Sequence, residues 1–435
     1  MSATSFDTAL SAAGTGRFQK RLIAVFGLVW AADAMQVLAI GFTAPSIAAS
    51  FGLTVPQAIQ TGTALFLGML VGAFVFGRLA DRFGRRPILV ATVLLDAVFG
   101  LASAFAPDFA WLLALRFLTG LGVGGTLPVD YAMMAEFLPA ERRGRWLVFL
   151  EGFWAVGTAM VALFSLAVTS YGAAEPWRIL FVLTALPALV GLVLRFFIPE
   201  SPLFLLRAGR AKEAVEILNR IATVNGRAAG VERLEPLPPT EKPRLFAGPY
   251  RRRTILILLV WLLVSVSYYG VFVWLPGQHA AAGLSFVRGQ LFLVLVALAQ
   301  IPGYALAAYG VERWGRLPTL IGFLLLSAVG CFAYALGTDP VLVALAMLAM
   351  SFALLGTWGA LYALTPELYP TRLRGTGMGT AGAAARVGGL IAPSVLAPVM
   401  AVSFPAALGA FSGLLVLAAI LTAMLGIETR NRPLD

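Results

Sequence analysis

A single carboxylate, Asp33, lies in the middle of an apolar stretch, and no other acid or base stands within eleven residues of it on either side. It is twelve residues from Arg21 and twelve from Pro45, so a helix would place it roughly 18 Å from either end. A charged group at that depth in lipid costs about 2.5–3.5 kcal/mol and needs a cavity and a partner. Arg116, eight residues beyond Asp108 in another apolar stretch, could reach it from a neighbouring helix.

Arg386 is a second charge among apolar and small residues. It follows Arg374 by twelve residues, which is roughly 18 Å along a helix. A guanidinium keeps its proton in proteins, so Arg386 needs an anion. The carboxylate of a small substrate, held by two parallel hydrogen bonds, would supply one. Alternatively, Glu151, in an earlier apolar stretch, could pair with Arg386. Both interpretations hold if Glu151 binds the arginine until the substrate carboxylate replaces it.

Two further acids, Asp96 and Asp130, stand inside apolar stretches. We expect Asp96 to be structural, because its helix is predicted to be peripheral. No pattern in the sequence explains Asp130, which is predicted to face a vestibule on the side of the N-terminus.

Aromatic residues are concentrated at the depth of Arg386, on stretches expected to line a cavity. A flat aromatic ring held by stacking, with a carboxylate on Arg386, would use such side chains. Some of them must instead be packing or interfacial residues. Gln300 adds an amide one turn before Tyr304. The candidate binding residues are Arg386, Glu151, Trp154, Tyr268, Tyr269, Gln300, Tyr304, Trp358 and Tyr362.

The composition predicts helices in a membrane as the elements that position these residues. Of 435 residues, 60% are hydrophobic and 12% are charged, whereas soluble proteins average roughly 45–50% and 25%. Stretches of about 20 apolar residues are long enough to span a bilayer. Twelve are predicted, over 22–45, 57–78, 87–106, 109–135, 146–170, 177–197, 254–276, 287–309, 318–336, 341–365, 376–399 and 403–426.

Charge placement predicts the orientation. Arg178 and Arg288 fall on the far side and Arg116 and Arg386 within predicted helices, which leaves 28 of the 32 Lys and Arg on the side of the N-terminus. By the positive-inside rule, both termini are cytoplasmic in a multi-pass plasma (inner) membrane protein. The same bias explains the net charge of +11, so no nucleic-acid partner is expected.

The sequence shows no catalytic or metal-binding pattern. The only histidine, His279, is predicted to lie in a loop on the far side, and no nucleophile stands beside a base. Cys331 is the only cysteine, so no disulfide within the chain and no cysteine metal cluster can form. No phosphate-binding Walker motif occurs, which argues against an ATP-driven pump. We therefore expect no enzyme activity and no cofactor.

The chain contains an internal repeat. "RLADRFGRR" (78–86) is echoed by "YGVERWGR" (309–316), and "EFLPAERRG" (136–144) by "ELYPTRLRG" (367–375), in both cases 231 residues later. Pro45 and Pro276 share that spacing. The repeat predicts two six-helix halves, 1–198 and 253–435, joined by a cytoplasmic linker, 199–252, with a short amphipathic helix. Ser201 and Pro202 predict the start of this short helix. The prolines of 236–249 predict that the rest of the linker is irregular.

These motifs resemble the major facilitator superfamily. "GRLADRFGRRP" is similar to its signature loop between helices two and three. "RFLTGLGVGG", "PESP" and "PELYPTRLRGTG" resemble the sugar-porter and organic-ion clade. "EGFWAVG" (151–157) and "ARVGGLIAP" (385–393) are most similar to bacterial niacin transporters and synaptic-vesicle-protein-like relatives. The resemblance covers nearly the whole chain and implies a monomer of twelve transmembrane helices in two pseudo-symmetric halves.

The loop motifs place charges where the halves meet the cytoplasm. Gly77 and Gly84 are expected to allow close helix approach and a sharp turn, and Asp81 to face a helix N-terminus. Arg82, Arg85 and Arg86 can pair with Glu136, and the second repeat can do the same with Glu312, Arg313, Arg316 and Glu367. The alternative is that these charges only set the topology. The resemblance implies a latch that stabilises the outward-open state, made of Gly77, Asp81, Arg82, Gly84, Arg85, Arg86, Glu136, Arg143, Glu312, Arg313, Arg316, Glu367 and Arg374.

The resemblance also implies a role for Asp33 and Arg116. In proton-coupled sugar porters, an acid in helix one and the Arg of "RxxxG" in helix four form a protonation couple, and these two residues match those positions. A permanent ion pair is the alternative. Relatives often carry a second acid three residues after the first, where this chain has Gln36, so a two-acid scheme is in doubt. The Gln and Asn that sugar porters place in helices five, seven and ten are absent here, which argues against a sugar.

The leading interpretation is a secondary transporter in the lipid bilayer that imports a small aromatic or heterocyclic monocarboxylate, nicotinate first, with a proton. Another organic ion, aromatic acid or drug, in either direction, is the alternative substrate. A receptor or vesicle protein that does not transport is the alternative of another class. Asp33, Arg116 and both loop motifs favour transport, because a receptor need not keep the charges that drive alternation.

Overall fold

The computed structural model describes residues 4–139, 143–236, 245–248, 250–281, 286–369, 371–394 and 402–429. Within these ranges the regular secondary structure is helical, apart from one isolated bridge between Thr4 and Leu234, and turns or short irregular segments join the helices. The helices are α1 Phe6–Ala13, α2 Arg17–Phe51, α3 Val55–Ala58, α4 Gln60–Phe83, α5 Arg85–Ser103, α6 Phe109–Glu136, α7 Arg143–Ser170, α8 Pro176–Arg195, α9 Pro202–Arg207, α10 Ala211–Val224, α11 Tyr250–Ala281, α12 Phe286–Leu298, α13 Gln300–Arg313, α14 Arg316–Leu336, α15 Pro340–Glu367, α16 Thr371–Ser394 and α17 Phe404–Leu425.

All twelve predicted spans fall on helices, which confirms the all-α membrane fold. Among the described residues, eleven helical segments are long and apolar enough to cross a bilayer. The remaining predicted span, the eleventh (376–399), corresponds over its described residues to α16, which is rich in Gly and Ala and carries Arg386. The eighth span is divided into α12 and α13 at Ala299. His279 lies within α11, so its prediction as a loop residue was wrong; its side chain is outside the described set.

The segment between the sixth and seventh spans contains α9 and α10. Ser201 caps α9 as predicted, since its hydroxyl accepts a hydrogen bond from the Phe204 N–H (3.1 Å). Helix α10 buries one face, through Ala214, Leu218, Ile221 and Ala222. Most of the proline-rich segment predicted over 236–249 lies outside the described residues.

Glycines bring α4 and α6 into backbone contact. A Cβ added to Gly68 or Gly72 would lie 2.1–2.2 Å from a carbonyl oxygen of α6, and one added to Gly120 or Gly124 would lie 2.1 Å from a carbonyl oxygen of α4. Both helices thus carry small residues four apart on their shared face, the pattern that lets membrane helices pack closely.

This contact leads to a stability prediction. Gly124→Ala would push a methyl group against the Met69 carbonyl, and overpacking of this kind costs about 1–3 kcal/mol. We expect a lower melting temperature for the purified variant. Gly413→Ala on α17 is the matched control, because nothing lies within 4 Å of a Cβ there, and its melting temperature should not fall. Equal melting temperatures for wild type and Gly124→Ala would contradict the proposed packing role.

The helices of the two sequence repeats meet mainly along three pairs, α2 with α11, α4 with α16 and α7 with α12. Helix α7 also contacts α13 and α15, and α6 contacts α16. On the far side of the molecule, Ala159 and Ala162 of α7 pack against Val294 and Ala297 of α12. Nearer the middle, Phe66 of α4 contacts Tyr269 of α11, with ring centroids 4.6 Å apart. These contacts surround the region where the predicted binding residues converge.

Candidate functional site

The predicted binding residues do converge, from helices of both repeats. They are Glu151 and Trp154 on α7, Tyr268 and Tyr269 on α11, Gln300 and Tyr304 on α13, Trp358 and Tyr362 on α15, and Arg386 on α16. The Trp154 indole N–H donates to the Tyr268 hydroxyl (2.7 Å), which joins α7 to α11. The Trp358 ring lies 5.9 Å from the Tyr268 ring and 6.0 Å from the Tyr362 ring. Tyr304 packs against Gly359, beside Trp358. The side chains therefore form one aromatic cluster.

The cluster includes aromatic residues that sequence reasoning missed. Trp30 and Tyr131, from the first repeat, contact Tyr362 at 6.4 and 5.6 Å, and Trp261 lies 4.8 Å from Tyr362 and 5.4 Å from Trp358. Trp30 and Trp261 are 231 residues apart, and so are Tyr131 and Tyr362. The repeat spacing could therefore have identified both pairs.

Arg386 is held where the cluster meets the first repeat. Its neighbour Ala385 accepts a hydrogen bond from the Ser265 hydroxyl (2.5 Å), and Gly388 lets α16 approach α11 closely at the same serine. The side chain is 6% exposed. Tyr269 and Glu151 are both close enough to the guanidinium to interact with it electrostatically. Glu151, the predicted partner of Arg386, is therefore nearby, but no ion pair between the two is found among the described residues.

Several buried polar atoms around the cluster lack a hydrogen-bond partner among the described residues. They are Glu151 Oε1, both side-chain polar atoms of Gln300 and the indole nitrogens of Trp30 and Trp358. A buried polar group without a partner costs about 1–3 kcal/mol, so native proteins satisfy such groups with water or a ligand. This arrangement can bind a flat molecule with both polar and aromatic surfaces.

Asp33 and Arg116 are both fully buried, but the ion pair predicted between them is not formed. Arg116 donates to the Gln36 side-chain oxygen and to the Gln36 backbone carbonyl, both at 2.7 Å, and lies 4.7 Å from the centre of the Phe181 ring. Neither carboxylate oxygen of Asp33 has a hydrogen-bond partner among the described residues. Gln36, which stands where relatives often carry a second acid, therefore binds Arg116, because Gln36 lies on the face of α2 toward α6.

Asp130 has a partner that the sequence did not predict. Its Oδ2 accepts from an Nη atom of Arg195 at the end of α8, and the side chains are 0% and 1% exposed. Asp130 therefore does not face an open vestibule. Asp96, on α5, is also buried, with both oxygens unpartnered among the described residues.

The loop motifs form matching structures in the two repeats. Gly84 and Gly315 have φ of 107° and 111°, a conformation that glycine adopts readily. Arg85 pairs with Glu136 (3.5 Å) and donates to the Ala80 carbonyl (2.9 Å). Arg316 pairs with Glu367 (3.0 Å) and donates to the Val311 carbonyl (2.8 Å). The predicted contacts of these two arginines are confirmed.

Other predicted latch residues behave differently. Arg82 lies over the Phe83 ring (5.3 Å), and Arg86 donates to the Phe196 carbonyl (2.8 Å) instead of pairing with Glu136. Nothing lies within 4 Å of a Cβ on Gly77, so the predicted close approach there was wrong. Glu312 and Arg313 are exposed. The side chains of Asp81, Arg143 and Arg374 lie outside the described set.

One further acid completes each motif, and sequence reasoning missed both. Glu200 accepts from the backbone N–H of Arg85 (3.0 Å), and Glu428 accepts from that of Arg316 (3.0 Å). Each carboxylate therefore sits at a helix N-terminus, where negative charge is favourable. The next residues, Ser201 and Thr429, donate to Glu136 and Glu367. The signal was an acid followed by a hydroxyl residue, repeated after 228 residues.

The described helices, the repeat and the loop motifs agree with one family model. The model of the Major Facilitator Superfamily matches residues 23–393 and 279–434. The chain belongs to the Major Facilitator Superfamily. It is therefore a multi-pass membrane protein and a transporter of that superfamily, as the sequence predicted.

Curated relatives extend over nearly the whole chain. It is 36% identical to the niacin transporter of Acinetobacter baylyi, over 97% of this chain and 96% of the relative. It is 34% identical to a putative niacin/nicotinamide transporter of Bacillus subtilis, over 96% and 98%. The synaptic vesicle 2-related protein of Rattus norvegicus is 32% identical, over 99% and 82%. The predicted resemblance to both groups is confirmed.

Solved structures of the superfamily have the same fold. The xylose transporter of E. coli, in a partially occluded inward-open conformation, matches with a TM-score of 0.77 and 20% identity, over 96% of this chain and 99% of that one. A proton:xylose symporter bound to 6-bromo-6-deoxy-D-glucose matches with a TM-score of 0.79 and 21% identity, over 96% and 97%. At this identity the likeness concerns the fold alone.

Proposed function

We propose that this superfamily member imports a small aromatic or heterocyclic monocarboxylate, with nicotinate as the first candidate, together with a proton. The protein acts as a monomer in the plasma (inner) membrane, with both termini in the cytoplasm. The halves 1–198 and 253–435 move as two bodies about the central site, and the segment 199–252 joins them on the cytoplasmic side.

The observation that carries the proposal is the buried guanidinium of Arg386 beside an aromatic cluster. Glu151 acts on it electrostatically, and Glu151 Oε1 has no hydrogen-bond partner within the described part of the chain. Glu151 thus leaves donors of the Arg386 guanidinium unused. A substrate carboxylate could take them up in two charge-assisted hydrogen bonds. The ring of the substrate would stack among Trp154, Tyr268 and Trp358.

The charges of the described interior favour coupling to protons. Within the membrane-spanning helices, four buried acids, Asp33, Asp96, Asp130 and Glu151, face three buried arginines, Arg116, Arg195 and Arg386. The fourth buried arginine, Arg85, lies at the loop motif, where it pairs with Glu136. With every group ionised the interior has one excess negative charge, and one bound proton makes it neutral. A substrate carboxylate adds a negative charge, which is costly in a medium of low dielectric. A second proton taken up with each substrate anion restores neutrality, and Asp33, whose carboxylate oxygens have no described partner, is the group proposed to carry it.

The names of the two bacterial relatives point to niacin, and 34–36% identity over nearly the full length favours a related substrate. Another organic ion or drug remains the alternative substrate. A membrane receptor is the alternative of another class, in view of the synaptic vesicle 2-related protein. The charged interior and the two matched loop motifs favour transport, because a receptor does not need groups that change partners.

The loop motifs are proposed to act as latches on the cytoplasmic side. The pairs Arg85–Glu136 and Arg316–Glu367 fix each loop to its own half, and Glu200 and Glu428 fix the start of the following helix. The two loops can then meet or separate as rigid units when the halves move. We propose that they stabilise the outward-open state.

A thermal-shift panel tests the substrate class. Purified protein is melted with small aromatic acids, their amides, organic cations and sugars, each at several concentrations. Binding at a hundredfold excess over Kd stabilises by about 2.7 kcal/mol, so we expect aromatic monocarboxylates to raise the melting temperature, nicotinate most. Arg386→Ala serves as the control for ligand effects outside the site. A panel in which only sugars or cations raise the melting temperature would refute the monocarboxylate proposal.

A further inference from the structure

Asp130 and Arg195 form an ion pair inside the first half that the proposed transport cycle has not used. The pair joins α6 to α8 and is shielded from solvent. The Arg195 guanidinium lies 5.0 Å from the centre of the Phe26 ring on α2. Phe26 precedes Asp33 by seven residues on the same helix, about two turns or 10 Å. The pair is thus a neighbour of the isolated carboxylate on its N-terminal side.

The pair has unused hydrogen-bonding capacity. Asp130 Oδ1 and the Nε and Nη1 atoms of Arg195 have no hydrogen-bond partner among the described residues. A buried ion pair contributes little to stability, since apolar residues of similar volume are often as good or better. An incompletely bonded pair contributes still less. Stability alone therefore does not explain why these charges are buried here.

The charges that act on Asp33 identify the partner available to it. Arg195 and Arg386 attract its carboxylate, whereas Asp96 and Asp130 repel it. Arg116 is bonded to Gln36, and Arg386 interacts with Glu151 and Tyr269. Arg195, in contrast, is hydrogen-bonded only to Asp130 among the described residues, and two of its nitrogen atoms have no partner there. In the membrane-spanning parts of the helices around Asp33, the charged and titratable groups are Arg116, Asp130 and Tyr131 on α6, Glu151 on α7, Arg195 on α8, Tyr268 and Tyr269 on α11, Asp96 on α5 and Arg386 on α16.

We propose that Asp130 and Arg195 are a positioning pair that sets the protonation of Asp33. While Asp33 carries its proton, Arg195 remains with Asp130. When the O–H bond of Asp33 breaks and the proton passes to cytoplasmic water, the free Nε and Nη1 atoms of Arg195 turn toward the new carboxylate. Asp130 limits how strongly Arg195 can hold it, so that Asp33 can be protonated again. This role of the pair depends on the proton coupling proposed above.

The test is the pH dependence of uptake into vesicles. Asp130→Asn leaves Arg195 uncompensated, so that it can turn toward Asp33 and stabilise the Asp33 carboxylate. An opposite charge within about 4–6 Å shifts protonation by about 1–3 pH units. We expect the pH of half-maximal uptake to fall by about one unit or more. Arg195→Gln removes the attraction and should raise that pH. The double variant Asp130→Asn/Arg195→Gln should return toward wild type, because both charges are gone.

Controls separate this role from structural support. Asp130→Glu and Arg195→Lys keep the charges and should keep the wild-type midpoint. If one neutral variant does not fold, the other still carries the test, because the midpoints of Asp130→Asn and Arg195→Gln are each expected to shift. Substrate ionisation is the same for all variants and cancels in the comparison. Variants that change only the melting temperature or the maximal rate, with midpoints equal to wild type, would show that the pair is a structural brace. A wild-type profile with no pH dependence would instead refute the proton coupling, and the pair's role with it.

Discussion

Replacing Arg386 by alanine should nearly remove binding of an aromatic acid and leave binding of its amide almost unchanged. In wild type the acid is proposed to form a charge-assisted, two-point contact with a guanidinium that is 6% exposed. Loss of one partner from such a buried charged contact costs about 2–5 kcal/mol, or roughly 30-fold to several thousandfold in Kd. The neutral amide never used the charge, so it should bind weakly to wild type and lose little.

Arg386→Lys refines this expectation. Lysine keeps the charge but presents a single ammonium in place of the planar fork of arginine. We expect acid affinity between those of wild type and Arg386→Ala. Calorimetric titration of the three proteins with nicotinate and nicotinamide gives the comparison directly. Misfolding would weaken both ligands alike, so the acid–amide difference serves as the internal control.

Two outcomes would show that Arg386 does not contact substrate. Equal losses for acid and amide would indicate that it only braces α16 against α11, where Ser265 and Ala385 already join the helices. If Arg386→Ala leaves the affinity for the acid unchanged, Arg386 interacts only with protein groups such as Glu151 and Tyr269. Gln300→Ala offers a contrasting variant, because the Gln300 amide also lacks a described hydrogen-bond partner but carries no charge. This variant should weaken binding of the acid and of its amide to similar extents.

Periodicity and repetition in the sequence predicted the helices and the matched loop motifs. Spans of apolar residues predicted the membrane helices, since a lipid environment requires a minimum helical length. The 231-residue spacing predicted the equivalence of Arg85 with Arg316 and of Glu136 with Glu367, and both ion pairs are present. Helical depth placed Arg386 at the level of the aromatic cluster, because axial position depends only on the residue count.

The sequence did not predict partners that depend on rotation about a helix axis. Asp33 and Gln36 differ by less than one turn in depth, and only the packing of α2 on α6 decides that Arg116 bonds to Gln36. Arg195 was counted among the surface charges of the N-terminal side because it ends its span. Side chains on a helix point toward its N-terminus, so at the end of α8 Arg195 points back into the bundle and reaches Asp130.

Asp33→Asn should abolish accumulation of substrate against a gradient while leaving binding and exchange. Asparagine has nearly the shape of a protonated aspartic acid but cannot release a proton. Asp33 is fully buried and its carboxylate oxygens have no partner among the described residues, so the substitution breaks no described hydrogen bond. Vesicles with and without an imposed pH gradient measure accumulation, and counterflow in vesicles preloaded with substrate measures exchange. Wild type should accumulate substrate only with the gradient; the variant should show counterflow and no accumulation.

Asp96→Asn is the matched control for this experiment. Asp96 is an aspartate of equal burial, also with both oxygens unpartnered within the described residues, but it lies on α5. If any loss of a buried carboxylate impairs accumulation, the two variants will behave alike. If Asp33 is the proton carrier, only Asp33→Asn will lose the response to the gradient, because Asp33 alone is proposed to change its charge as the halves alternate. Gradient-driven accumulation by Asp33→Asn at the wild-type level would make Asp33 a structural residue and would leave the required proton to another of the buried acids.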